Sequence, residues 1–566
     1  MIDVRWGVIL IFLILILPLR PSYVSLNNEN YNWLIEFIDE NPFSAYYYAA
    51  NISLISTNVS LAHYSFRAAG SPGEYQVFLY IKNLLESWNL NVRVEKFTFI
   101  SWDIYDEPNI TLIISDHNET YNETHRVYPE HYTFGTPPEG IVANVCYLPL
   151  PSVFSSEPLP EEILQVWNQT NISGKIVLIG REVFFNEYWF ASFLSKLEKE
   201  KPLAILYTWA TIDYKKYPRF HSSNGGRGFH YYRENKIPVA WVDKSTAARI
   251  IEELNSNKTV TSILRIPIRE TSGEVRNIIA TIPGRNTSKT ILITAHYDSV
   301  MCPGLSDNAA GVSGVLELAW AFSRAVNEGL YTPPINITFV FFTSEELGLI
   351  GSAKFVEMHK KELGKKIIGV INLDTLGSYK LLVFKDSHGI IPPNTSNKIY
   401  LHQLIVSAAT KLGLDVKTSV SYGIHSDDST FSNPDAVNNL INAWWPDLGI
   451  DISDAPCIAA TMIGSTPYIP WRPDEEGRVG WIHTPYDNIT STEVYDWVNP
   501  MRLEMQIKVA GLALLELLKY FEVIATPPEE VPMWLQNMML YIAIFIVVAI
   551  IFIVSVMYSR RKRRMS

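Results

Sequence analysis

Cysteine is scarce in this chain: 566 residues contain three, Cys146, Cys302 and Cys457. That is too few for a disulfide framework, and no cysteine-based zinc motif is present. One bridge is open, with no pair favoured. Charge is also sparse, at 19% against 47% apolar residues, so a large core can form and wholesale disorder is excluded. Basic charge is the scarcer sign. There are 47 Lys and Arg against 58 Asp and Glu, for a net −11, and five of the basic residues are Arg560, Arg561, Lys562, Arg563 and Arg564. The rest lacks the clustered Lys and Arg that phosphate neutralisation needs, so no nucleic-acid partner is expected. Internal repeats and low-complexity tracts are missing. Long uncharged apolar runs are confined to the two ends.

Residues 538–557, MMLYIAIFIVVAIIFIVSVM, carry no charge. As a helix they reach about 30 Å, the hydrocarbon thickness of a bilayer. The basic tail follows directly, and Trp534, Tyr541 and Tyr558 stand where interfacial aromatics collect. We therefore expect a linker over 525–537, a transmembrane helix over 538–558 and a cytoplasmic tail over 559–566. Everything before the helix is then extracellular, at the cell membrane. Near the N-terminus, WGVILIFLILILPL follows Arg5. It suits a signal peptide, or an uncleaved anchor, over 1–25. Twelve N-x-S/T sequons lie between these ends: Asn51, Asn58, Asn109, Asn118, Asn122, Asn168, Asn171, Asn257, Asn286, Asn336, Asn394 and Asn488. They fit a glycosylated surface protein.

Between the ends, helical spacing marks 31–63 and 74–90, and residues 91–99 alternate as a strand. Residues 100–140 read as polar and turn-rich. Over 141–267 the apolar runs GKIVLI, AILYTW and IPVAWV read as strands, and KSTAARIIEELN reads as a helix capped by Ser245. That unit contains no catalytic constellation. From 277 onward strands alternate with helices. The expected fold is therefore α/β, with a mixed, largely parallel sheet flanked by helices. Its domains are 26–140 and 268–524, with a small α/β insertion over 141–267.

Acidic and histidine residues fall at the C-terminal ends of these strands, where open α/β sheets gather ligands. TILITAHYD supplies His296 and Asp298, CPGLSDNAAG supplies Asp307, and FVFFTSEELG supplies Glu345 and Glu346. VINLD supplies Asp374, and GWIHTPYDN supplies His483. Taken singly, a strand-end Asp is a helix cap and a Glu pair at a helix start complements the dipole. Together, two histidines and three carboxylates can hold two zinc ions if one carboxylate bridges. Two such ions can polarise a carbonyl and activate water, and a further carboxylate can move protons.

HYDSV, PGLSDNAAG, SEELGLIGS, INLDTLG, SDDSTF and IHTPYDN resemble, in order, the motifs of the two-zinc exopeptidases of metallopeptidase family 28. RAAGSPGEYQVFLYIKNLLESWNLNV resembles the opening of that catalytic domain, and 141–267 resembles its inserted protease-associated domain. The resemblance implies a zinc exopeptidase fold and two Zn²⁺ per chain. His296 and Asp374 would hold one ion, Glu346 and His483 the other, and Asp307 would bridge. It implies Glu345 as general base and acid, Asp298 as the partner of the free His296 N–H, and a cis peptide after Asp307. Where the family commonly has an oxyanion-donating Tyr, Ile482 stands. Tyr422 or His425 could substitute. Asp428 replaces the family's His or aromatic residue, while Asp427 keeps its place beside the site.

The resemblance points first to an aminopeptidase acting on peptides. A glutamate-carboxypeptidase-like enzyme would need an arginine for the terminal carboxylate, and Arg472 and Arg478 are near His483 in sequence. Asp474, Glu475 and Glu476 could instead hold a free amine. A glutaminyl-cyclase-like transferase would need one zinc, and a transferrin-receptor-like binding ectodomain none. A homodimer is a further expectation.

Overall fold

The computed structural model describes residues 32–116, 119–149, 160–180, 187–208, 231–393, 395–420, 423–467, 474–489 and 497–522. The expected leader, linker, transmembrane helix and tail lie outside these residues, as do Tyr422 and Arg472. Among the described residues no helix is long and apolar enough to cross a membrane.

Among the described residues, two eight-stranded sheets form the fold. The main sheet has the order β1 (Asn91–Ile104), β10 (Ile268–Ile282), β12 (Ile335–Phe342), β11 (Asn286–His296), β13 (Ile367–Leu373), β16 (Ala459–Thr466), β14 (Lys380–Phe384) and β15 (Val416–Ser419). Its central strands β12, β11, β13 and β16 run parallel. Every residue of β12 is buried, as expected for a parallel strand covered on both faces. Antiparallel pairs join β1 to β10, β10 to β12 and β14 to β16, so the sheet is mixed. The helices Asn32–Glu40, Ser44–Thr57, Gly311–Asn327 and Pro500–Lys519 pack on one another. Ile350–His359, Asp428–Ser432 and Pro434–Trp444 form a second packed group.

The second sheet has the order β3 (Glu119–Arg126), β2 (Asn109–Asp116), β9 (Thr259–Arg265), β5 (Ile141–Tyr147), β6 (Ile176–Gly180), β7 (Ala204–Thr208), β8 (Val239–Trp241) and β4 (Tyr128–Pro129). Residues 109–116, 119–126 and 128–129, read above as turn-rich, are thus strands of this sheet. Edge strand β3 is largely polar, and its partner β2 alternates polar residues with buried Ile110, Leu112 and Ile114. Chain enters this unit after β1 and leaves it into β10. Ile104 pairs with Ile268, so both crossings lie side by side. One apolar cluster joins the two sheets. Trp102 stacks on Tyr132 with centroids 5.3 Å apart, and Phe99 meets Trp445 edge-on at 5.1 Å.

Several local expectations change. The helical stretch 31–63 is three helices, interrupted first at Asn41-Pro42 because proline cannot continue the hydrogen-bond ladder. The helix Lys244–Asn255 is capped by Asp243, whose carboxylate accepts the Thr246 N–H at 2.7 Å, and Ser245 only supports that cap. All three cysteines are free. The sequon residue Asn336 is buried; its side chain accepts the Gly284 N–H and donates to the Thr287 carbonyl.

Candidate metal centre

Three adjacent parallel strands, β12, β11 and β13, end at one edge of the main sheet, and each delivers side chains there. His296 is the last residue of β11 and pairs in register with Phe342 of β12. Glu345 and Glu346 follow β12 in a tight turn, and Asp374 directly follows β13. Asp307 lies in the turn before the helix Gly311–Asn327, and its peptide bond to Asn308 is cis. His483 arrives from a distant loop. Ser344, Thr375 and His483 have φ values of 57°, 56° and 58°. Non-glycine residues adopt this left-handed region at a cost, and such outliers gather at functional sites.

The geometry is that of two overlapping nests. His296 Nε2 lies 3.2 Å from Asp307 Oδ1 and 3.7 Å from Asp374 Oδ1. His483 Nε2 lies 3.0 Å from Asp307 Oδ2 and 3.1 Å from Glu346 Oε2. Asp307 therefore offers one oxygen to each histidine. Glu345 stands beside the pair, its Oε2 3.9 Å from His296 Nε2. Asp298 Oδ1 lies 3.5 Å from His296 Nδ1, and the Asp298 carboxylate accepts the backbone N–H groups of Glu345 and Glu346 at 3.1 and 3.3 Å. Asp374 is oriented by Ser426, which donates to Oδ2 at 2.6 Å.

The chemistry of the set fits cations. His296, Asp307 and Asp374 form one group of possible ligands and Asp307, Glu346 and His483 another; within each, the offered atoms lie within 4.8 Å of one another. Neither ring nitrogen of His296, nor Asp374 Oδ1, makes a hydrogen bond, although all are buried. Such atoms are costly unless something fills the gap between them. The same carboxylates raise the proton affinity of the two histidines. Burial opposes charge on His296, yet Glu345, Asp298, Asp307 and Asp374 raise its pKa well above the ordinary value. Burial likewise opposes charge on His483, but Glu346 and Asp307 lift it to about 9. Burial alone would raise Asp307; its two histidine contacts hold it below the carboxylate range. Burial pushes Glu345 well above that range, with Glu346, Asp427 and Asp374 adding to the rise.

Of the remaining sequence candidates, Asp427 is fully buried with neither oxygen hydrogen-bonded, and burial lifts it to about 7. His425 pairs with Asp428 at 3.3 Å and stacks on Phe384, with centroids 4.0 Å apart. Arg478 is held by Asp474 at 2.6 Å and Glu476 at 2.8 Å, and lies over the Tyr379 ring. Two residues at the centre had no assigned role in the sequence reading. Arg67 opens the RAAGSPGE motif and Asp487 sits inside IHTPYDN. Both grip the backbone around Asp307. Membership of those motifs was the only signal.

Comparison with known proteins agrees with this arrangement. The chain is 25% identical over 353 residues to the probable lipoprotein aminopeptidase of Mycobacterium tuberculosis, covering 60% of this chain and 62% of that protein. It is 30% identical over 258 residues to an aminopeptidase of Bacillus subtilis, covering 45% and 47%. The match thus spans roughly half the length of these curated relatives. Among solved structures, a zinc aminopeptidase from Bacillus subtilis superposes with a TM-score of 0.54 at 21% identity, over 84% of this chain and 96% of that one. A peptidase precursor from Shewanella amazonensis gives 0.54 at 17% identity, over 85% and 95%. These structures share the fold. The family model for peptidase family M28 matches residues 277–498, the segment that carries His296, Asp307, Glu345, Glu346, Asp374 and His483. Over residues 277–498, then, this chain is similar to peptidase family M28.

Proposed function

We propose that this chain is a zinc aminopeptidase that hydrolyses the N-terminal bond of peptides. The observation that carries the reading is the pair of ligand groups sharing Asp307, with the Glu345 carboxylate beside them. Two zinc ions, held by His296, Asp307 and Asp374 and by Asp307, Glu346 and His483, would polarise the scissile carbonyl and ease deprotonation of water. Glu345 takes the proton from the attacking water and returns it to the leaving amine. Asp298 lies 3.5 Å from His296 Nδ1, placed to orient the imidazole, and fixes the Glu345–Glu346 turn through its two amides.

The polarity follows from charge. Asp427, which belongs to neither ligand group, adds a buried carboxyl with unpartnered oxygens that could receive an ammonium terminus. Of the two arginines near His483 that could serve a carboxypeptidase, Arg478 is occupied by Asp474 and Glu476, and Arg472 lies outside the described residues. The curated relatives named above are aminopeptidases. The proposal extends to the second sheet as a protease-associated unit. It also places the domain outside the cell, on the strength of the apolar run 538–557, the basic tail and the sequons.

The test uses matched peptides blocked at one end. Turnover should vanish on N-acetylation and survive C-terminal amidation. The opposite pattern would make the enzyme a carboxypeptidase, and turnover of doubly blocked peptides would remove the exopeptidase reading.

A further inference from the structure

We propose that Arg67 and Asp487 are positioning residues for Asp307: they grip the Pro303–Asp307 backbone from its carbonyl side and its amide side, and so aim the two Asp307 oxygens at the two histidines. The proposal rests on the dinuclear reading of the site.

The carbonyl side is a single guanidinium. Arg67 is fully buried. Its Nε donates to the Tyr297 carbonyl at 3.0 Å, and Nη2 donates to the Gly304 and Asp307 carbonyls at 2.7 and 3.0 Å. Nη1 donates to the Pro303 carbonyl and, at 3.5 Å, to Ser56 Oγ. These five acceptors match the five N–H groups of a guanidinium. Four are backbone carbonyls, and three of those belong to the stretch that ends in Asp307. Burial opposes the charge on Arg67, and Asp487, Asp307 and Asp298 offset it electrostatically while the hydrogen bonds go to carbonyls.

The amide side is a single carboxylate. Asp487 is fully buried. Its Oδ1 accepts the Ser306 N–H at 2.7 Å and its Oδ2 the Asp307 N–H at 3.1 Å, while its own carbonyl accepts the Leu305 N–H at 3.0 Å. Arg67 and Asp487 lie 240 and 180 residues from Asp307 in sequence. Neither touches a histidine of the site by hydrogen bond. Each acts through the backbone.

A bridging carboxylate demands this precision. Its oxygens must serve two ions from one Cβ, so a shift of about 0.5 Å in the backbone spoils both contacts. Arg67 also lies outside residues 277–498, so the family domain alone does not contain the whole support of its metal centre. Lysine cannot replace it, since an ammonium lacks the planar fork that reaches several carbonyls at once.

The test titrates metal-free full-length chain with Co²⁺, followed by calorimetry and by the cobalt d–d absorption. The wild type should bind two ions. Arg67→Lys and Asp487→Asn should stay folded by circular dichroism and bind at least one ion about 10–100-fold more weakly, with an altered cobalt spectrum. If Arg67→Lys does not fold, Asp487→Asn, which keeps shape and one acceptor oxygen, carries the test. A merely structural role would lower the melting temperature of the metal-free protein and leave both affinities and the spectrum unchanged; that result overturns the positioning role. Fewer than two ions on the wild type would instead overturn the dinuclear reading, a failure visible before any variant is measured.

Discussion

Glu345 and Glu346 are neighbours in sequence but face different histidines: Glu346 Oε2 lies 3.1 Å from His483, and Glu345 Oε2 lies 3.9 Å from His296. Glu346 belongs to a ligand group with Asp307 and His483, whereas Glu345 is placed to move protons. Glu345→Gln is expected to keep both metals and lose at least about 10²-fold in kcat, because the amide cannot accept a proton. Glu346→Gln should lose zinc content as well as rate. Measuring kcat and zinc for both variants decides the assignment; near-normal turnover in Glu345→Gln would sink it.

Asp298 gives a second prediction. Its carboxylate serves His296 on one side and the Glu345 and Glu346 amides on the other. Asp298→Asn leaves one oxygen for these contacts and removes the charge beside the imidazole. Metal affinity or kcat should fall about 10–100-fold while the fold persists. Unchanged zinc affinity and rate in the variant would show that Asp298 does not support His296.

Gly311 tests the seat of Asp374. A Cβ there would collide with Asn308 Oδ1 and the Leu373 carbonyl. The same Asn308 oxygen accepts the N–H groups of Gly311 and Thr375 at 3.0 and 3.2 Å, and Asn308 donates to the Leu373 carbonyl at 3.0 Å. Gly311→Ala should therefore destabilise by about 1–3 kcal/mol, the usual range for overpacking. It should also weaken metal binding, since the turn that carries Asp374 must shift. Urea unfolding and zinc titration read the two effects, and wild-type values in both contradict the argument.

A pH dependence of stability is expected from Glu317, far from the metal centre. It is buried in the helix Gly311–Asn327 and accepts from Ser44 Oγ at 2.7 Å; burial, with Glu504 adding, raises its pKa to about 7. A folded-state pKa above the unfolded value means that the protonated form is favoured on folding. The contribution is whole below about pH 4.5 and is lost as pH rises through 7, up to about 3 kcal/mol. Lys508, which also lies within its electrostatic reach, is tied to Asp39 and Glu504. Glu317→Gln should flatten the stability curve between pH 5 and 8. An identical slope in the variant would show that Glu317 ionises normally in the fold.

The residues of the centre were legible because the central strands are parallel and buried. Such strands read as unbroken apolar runs, so His296, Glu345 and Asp374 stand out where the runs stop. Arg67 and Asp487 were not legible in that way. Their partners are backbone groups of 303–307, and a backbone group has no signature in a sequence. Strands β14, β15 and β16 lie beyond the clearest alternation and were not anticipated as strands. At 109–129 the polar side chains of the edge hairpin β2–β3 and three sequons concealed strand character. Asp427 was expected beside the site, and the structure finds it buried with unpartnered oxygens. His425, offered with Tyr422 as an oxyanion donor, has its Nε2 3.3 Å from an Asp428 oxygen.

The long pairing of β1 with β10 has a consequence for the order in which the molecule is built. During synthesis β1 emerges early, but the strand that must lie against it appears only after residues 105–267 have been made. Closing so long an intervening loop is unfavourable until its ends are brought together. The second sheet does this, because β2 and β9, its first and last long strands, pair with each other from Asn109 with Arg265 onward. That pairing sets Ile104 and Ile268 beside one another. The inserted unit is then the template on which the main sheet zips, and a ribosome-stalled chain ending before β9 leaves β1 an unpaired strand, open to protease and to aggregation.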